Sequence, residues 1–178
     1  MKLLHGTPLK RFLRDWRRAN PIEVDIALVL QSVSYPVNVG SLFRIADAIR
    51  VSEIVLCGIT PTPPNPTIIK VGRDKHNNVK WSYEEKAEYP LQRLRAEGYH
   101  ITALELTDES IPYFMISAPE KICLVLGNED HGVTKAILDL CDSAMFVPMY
   151  GHGQSLNVHV SAAVALYHLR HAHSQASE

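Results

Sequence analysis

Residues 147–169, VPMYGHGQSLNVHVSAAVALYHL, decide how this chain is read. The stretch passes from an apolar strand end, through a loop carrying Gly151 and Gly153, into a long run of small and aliphatic residues. Glycine admits backbone angles that side chains forbid, so the loop is expected to fold tightly and let a ligand approach its main chain. Ser155 stands where a helix cap is wanted. Leu156, Val158, Val160, Ala162, Ala163, Val164, Ala165, Leu166 and Leu169 make the helix apolar on nearly all sides, which predicts burial. Asn157, Ser161 and His168 form its one polar stripe. A buried helix with a polar N-terminus reads as the wall of a small-molecule site, although a packed helix with a tight entry loop fits the segment taken alone.

Outward from this stretch, strand and helix patterns alternate. The nearest are a strand at 144–147, a short helix at 133–140 and a buried strand at 122–126, the last followed by GNEDHG. Before them come a strand at 100–106 and a helix at 90–97 stopped by Gly98. The run 61–66 is too rich in proline for regular structure, and 68–86 gives no clear period. Residues 53–57 read as a strand, and 24–33 as an apolar, β-branched strand closed by the turn at 34–36. Asn38 then caps a helix running to about Arg50. Alternation of this kind predicts an α/β fold with a mostly parallel sheet flanked by helices. No repeat divides the chain, so we expect one domain at 23–174, preceded by an arm at 1–22 and followed by a tail at 175–178.

The arm differs from the body in charge. Lys2, Lys10, Arg11, Arg14, Arg17 and Arg18 face only Asp15 within residues 1–20, a net of +5, which leaves −6 for the rest of a chain whose total is −1. Thr7-Pro8 and Asn20-Pro21 are start and stop signals for a helix. Leu9, Phe12, Leu13 and Trp16 recur at helical spacing, so this stripe is expected to dock on the body and leave a cationic face outside.

Composition excludes several classes. The chain is long enough, and apolar enough, for an ordinary core, and no apolar run approaches the ~20 residues of a membrane span. Without the apolar core of a signal peptide near its start, the chain is expected in the cytoplasm or another reducing compartment. Cys57, Cys123 and Cys141 have neither zinc-site nor disulfide spacing and read as buried thiols. His168, His171 and His173 lack a carboxylate at ligand spacing, so a solvated helix end is preferred and no metal is expected. GHGQS is not a triphosphate-binding loop, and no strand leads into GxGxxG, which sets aside a nucleotide-binding oxidoreductase.

Three stretches carry a family resemblance: NVGSLFRIADAIRV at 38–51, LVLGNEDHGV at 124–133, and the SLN-bearing stretch at 147–169. Together they resemble the three motifs of the SpoU/TrmH branch of the SPOUT RNA methyltransferases, over about 25–170. The resemblance implies a C-terminal trefoil knot that holds S-adenosyl-L-methionine in a bent shape, and a homodimer with the site near the subunit interface. Asn38 and Arg44 match the asparagine and arginine of the first motif, Glu129 the glutamate of the second, and Ser155 and Asn157 the catalytic pair of the third. Leu104, Gly127, Val147, Met149, Gly151 and Leu156 match positions that surround the cofactor. Asp130 and His131 depart from the small or neutral residues associated with their places, and His159 replaces the serine often found after SLNV.

The implied reaction is methyl transfer to an RNA ribose 2′-hydroxyl, with tRNA favoured over rRNA because the chain resembles minimal members of the family. Arginine offers no lone pair for a proton, so Arg44 is better suited to clamping a phosphate and stabilising oxyanion charge. The phosphate would then receive the proton, or Arg44 itself were its guanidinium first deprotonated in the site. Two rivals are a catalytically silent RNA-binding protein of the same fold and a relative that methylates a base; the intact motif residues and the Asn38/Arg44 pair argue against them. Lys10, Arg11, Arg14, Arg17 and Arg18 are the expected RNA-binding residues of the arm.

Overall fold

The computed structural model describes residues 1–175, with side chains as far as His171. The expected tail lies outside the described residues beyond Gln175, and so does the side chain of His173. Seven strands form one sheet: β1 (Asp25–Gln31), β2 (Glu53–Cys57), β3 (Trp81–Glu84), β4 (His100–Leu104), β5 (Ile111–Pro112), β6 (Lys121–Leu126) and β7 (Ser143–Phe146). Their order is β3-β2-β1-β6-β4-β7-β5, and every pairing is parallel.

A sheet covered on both faces wants apolar side chains at every position, and β1, β2 and β6 supply them. Ile26, Leu28, Leu30, Ile54, Leu56, Ile122, Leu124 and Leu126 turn to one face, beneath the helices α2 (Pro36–Ile49) and α6 (Val158–Gln175). The alternate residues Ala27, Val29, Val55, Cys123 and Val125 turn to the other, against α4 (Glu88–Ala96) and Ile137 of the short α5 (Lys135–Leu138). Helix α3 (Pro66–Gly72), capped by the Asn65 side chain, packs against α2.

The expected parallel α/β architecture is therefore present, with several differences of detail. The stretch without a clear period holds α3, a turn of 3₁₀ helix and β3; β5 is a two-residue edge strand that the sequence did not signal. Asn38 is not a cap, because α2 begins at Pro36, whose missing N–H costs nothing in a first turn. Ser155 does not cap α6 either. The carbonyl of Asn157 accepts from the N–H groups of Val160 and Ser161, and its Oδ1 accepts from His159 N–H at 3.2 Å. Helix α6 is buried on one face only, through Ala162, Ala165, Leu166 and Leu169; Val160 and Tyr167 are exposed.

The largest departure is the arm. Helix α1 (Gly6–Ala19) forms, and Asn20 closes it through its backbone N–H and its side chain, both donating to Trp16 O. The expected docking does not occur: no residue of α1 is buried, and Phe12 and Trp16 stay more than half exposed. Among the described residues of the single chain, the body does not offer these side chains an apolar seat.

Candidate functional site

Parallel pairing explains why the sequence-distant motifs meet. Leu30 of β1 pairs with Leu126 of β6, so the chain leaves both strands at the same edge of the sheet. β6 also pairs with β4, which delivers Leu104 and Glu105 to that edge. In open α/β sheets, loops beyond the carboxyl ends of the strands form the ligand crevice. Here they enclose a cleft of about 600 Å³, with the start of α6 as its remaining wall. Pro36, Val37, Leu104, Leu156 and Val158 give it apolar surface, while Asn38, Asn128, Glu129, Ser155, Asn157 and Ser161 bring polar groups.

Glu129 is the best-held of these groups. Its Oε2 accepts from both the N–H and the hydroxyl of Ser34, each at 2.9 Å. Its Oε1 accepts from Tyr35 N–H at 3.2 Å and from Asn38 Nδ2 at 2.6 Å. Burial pushes this carboxyl upward, but the bonds from Ser34 and Asn38 outweigh burial and hold it below the ordinary glutamate value. The result is a fixed anion that ties the loop after β6 to the first turn of α2.

Asn38 reaches the other way as well, its Oδ1 lying 2.9 Å from His159 Nδ1 on α6. Burial lowers the pKa of His159, which favours the neutral ring. The loop carrying Glu129 is shaped by its own neighbours. Asn128 Oδ1 accepts from the N–H groups of Asp130 and His131, and its Nδ2 donates to Ser32 O at 2.8 Å. Asp130 and His131 are themselves exposed. The Glu105 carboxylate accepts from Val133 and Leu106 N–H. A side chain on Gly127 would collide with the backbone of Gly132 and Val133, so glycine is required there for loop closure, and its backbone also lines the cleft.

Of the eleven expected catalytic and cofactor-binding residues, the cleft collects Asn38, Glu129, Ser155, Asn157, Leu104, Gly127 and Leu156. Arg44, Val147, Met149 and Gly151 are not in its lining. Arg44 is exposed on α2. Gly151 and Gly153 do not adopt positive φ, and a Cβ at Gly151 would meet nothing within 4 Å, so the expected tight folding is absent. His168 leaves the expected polar stripe to bond Ile116 O at 3.1 Å against the Tyr113 ring. Lys10, Arg11, Arg14, Arg17 and Arg18 lie on the exposed α1, where Arg14 pairs with Asp15.

Sequence reasoning passed over Ser34, Glu105 and Asn128. Each follows a buried strand by one to three residues, a position that could have flagged them. The thiols take no part in the cleft: burial pushes Cys57 up to about 12 and Cys141 up to about 11, values of inert sulfhydryls. Among the described residues no group of three or more His, Cys, Asp or Glu is arranged to hold a metal, and no helix is long and apolar enough to cross a membrane.

The wholly parallel seven-stranded sheet, with a cleft assembled from the loops after β1, β4 and β6 and the start of α6, matches the fold of solved SPOUT methyltransferases. The SpoU methyltransferase AviRb from Streptomyces viridochromogenes superposes with a TM-score of 0.78 over 89% of this chain and 64% of its own, at 20% identity. The chain belongs to the SpoU rRNA Methylase family, whose model matches residues 25–167. Over 143 residues, 80% of the chain, it is 34% identical to the 23S rRNA (guanosine(2553)-2′-O)-methyltransferase RlmP of Bacillus subtilis and 29% identical to the tRNA (guanosine(18)-2′-O)-methyltransferase of Escherichia coli. It spans only 57% and 62% of the lengths of those two proteins.

Proposed function

We propose that this protein transfers the methyl group of S-adenosyl-L-methionine to a ribose 2′-hydroxyl of RNA, with tRNA preferred to rRNA. The observation that carries the reading is the meeting of Asn38, Glu129, Ser155 and Asn157, from three separated motifs, on one cleft. Family membership supports it, as do relatives named for guanosine 2′-O-methylation of 23S rRNA and of tRNA.

The cleft suits the cofactor. Its volume lies within the ~300–1,000 Å³ usual for small-molecule sites, and Leu104, Leu156 and Val158 provide apolar contact of the kind an adenine wants. When bound there, the cofactor would supply an electrophilic methyl on a sulfonium centre. The chain's own part is positioning: Glu129 fixes Asn38, Asn157 fixes the first turn of α6, and the Ser155 hydroxyl is exposed beside them. The exposed Arg44 is available to an RNA phosphate, where its planar fork can clamp two oxygens. The C-terminal knot belongs to this reading, supported by the convergence of the loops after β4 and β6 with the segment entering α6.

Homodimerisation is part of the same proposal, supported by two unpaired apolar surfaces, the stripe of α1 and Val160 with Tyr167 on α6. The reduced, buried thiols of Cys57 and Cys123 suit the cytoplasm. Arm and body, 1–22 and 23–174, are read as an RNA-positioning element and a catalytic domain.

The position of Arg44 outside the cleft lining favours one rival, a protein that binds RNA without methylating it. Labelled S-adenosyl-L-methionine and total RNA lacking the modification separate the two. Label recovered in a 2′-O-methyl nucleoside after digestion is the expected result. RNA binding without label transfer would establish the rival.

A further inference from the structure

We propose that His159 is a positioning residue of the methyl-transfer site, donating through Nδ1–H to Asn38 Oδ1 and so anchoring the Asn38 amide from α6 as Glu129 anchors it from the other side. The inference rests on the methyltransferase reading. It concerns a residue at which the chain departs from the serine expected after SLNV.

The hydrogen-bond assignments follow from what each group can do. An ionised carboxylate only accepts, so the end of Asn38 that faces Glu129 at 2.6 Å must be the NH₂ group. The opposite end, 2.9 Å from His159, is then the amide oxygen, which also only accepts. His159 Nδ1 must therefore carry a hydrogen in either charge state of the ring. In the neutral ring, which burial favours, Nε2 keeps the lone pair.

Two anchors constrain more than one. Glu129 alone fixes which end of the amide faces it, yet the side chain could still swing about that contact. A second bond, from a different helix, removes the swing and leaves the other Nδ2–H of Asn38 to meet a group bound in the cleft that Asn38 lines. It also locks the starts of α2 and α6 together at the point where the first and third motifs face each other. A serine at 159 would present a shorter donor on the same helix position.

The test uses the full-length protein and two variants. Asparagine can place an N–H near the position of histidine Nδ1, and alanine cannot. His159→Ala should lower kcat by about tenfold or more with the KM for S-adenosyl-L-methionine close to wild type, because misplacing a reacting geometry costs rate rather than ground-state binding, and it should lower the Tm modestly because the buried Asn38 Oδ1 loses its donor. His159→Asn should recover kcat to within a few-fold. Nitrogen-15 spectra of the wild type should show His159 protonated on Nδ1, and the Asn38 side-chain NH₂ resonances should shift in His159→Ala, as the amide swings about its Glu129 contact, and stay near wild type in His159→Asn. Near-normal kcat in His159→Ala would overturn the proposal. So would a His159→Asn variant as inactive as alanine, since a restored N–H donor would then not be what the reaction requires of this position. A wild type that transfers no methyl overturns the methyltransferase reading instead, and the spectra still decide whether His159 holds Asn38.

Discussion

A single carboxylate, Glu129, receives four hydrogen bonds from Ser34, Tyr35 and Asn38, and its value depends on remaining ionised. Glu129→Gln substitutes an NH₂ for one acceptor and turns it toward donors, leaving at least one of them unsatisfied. We expect a loss of about 1–3 kcal/mol at neutral pH, measured by denaturant unfolding. The sign of its pH dependence follows from the depressed pKa. Stability from this group is complete above the unfolded glutamate value and is lost as pH falls through the lower folded value. The difference in Tm between wild type and Glu129→Gln should therefore shrink in that acidic window; a constant difference would refute the assignment. Arg44→Ala makes the complementary case. The side chain is exposed, so stability should change by less than ~0.5 kcal/mol, while methyl transfer should be abolished with cofactor binding retained. Near-normal turnover would remove Arg44 from the reaction. The resemblance of their motifs named both residues but could not say which way they face. Six positions along a helix turn through ~240° from Asn38, so the residues of one motif need not share one wall.

At the scale of elements, the placement of the first motif depends on how closely α2 approaches α3. Gly40 lies between Asn38 and Arg44, and a Cβ there would stand 3.0 Å from both Ile68 O and the Val71 Cβ. One of those contacts is backbone and cannot turn aside. Gly40→Ala should thus force the helices apart and cost about 1–3 kcal/mol, as overpacking usually does, and it should also loosen the Asn38 to Glu129 contact. A variant with unchanged Tm and unchanged turnover would show that the approach is not needed. Which elements could be read from sequence follows from their burial. β1, β2, β4, β6 and β7 stood out as apolar runs because the sheet is covered on both faces. WSYE of β3 and Ile111-Pro112 of β5 lie at the two edges, half in solvent, and carry no such pattern. Loop 147–157 misled for a related reason: its glycines suggested tight folding, but the segment from Met149 to Asn157 is exposed and nothing crowds Gly151.

Charge is a property of the whole molecule, and its distribution gives the arm its meaning. The chain carries a net charge of −1, divided into +5 on residues 1–20 and −6 on the remainder. A polyanion approaching the acidic body alone would be repelled, so under the proposed reading a local cationic surface supplies much of the phosphate affinity. Helix α1 is that surface in form, with Arg11, Arg17 and Arg18 exposed and its apolar stripe not spent on the chain's own core. Arg14 is partly neutralised by Asp15, 3.0 Å away, although both side chains are exposed. Replacing Arg11, Arg17 and Arg18 by glutamine should leave the fold and cofactor affinity unchanged, because no residue of α1 is buried. RNA affinity should fall for all sequences alike, as expected of contacts that position the backbone without reading bases. The slope of log affinity against log salt should flatten by roughly 0.7–0.9 for each phosphate that is no longer neutralised. Titrations at several salt concentrations, with matched and scrambled RNAs, measure both effects. An unchanged slope in the folded triple variant would assign the arm's cations to solvent and leave its apolar stripe as the feature to explain.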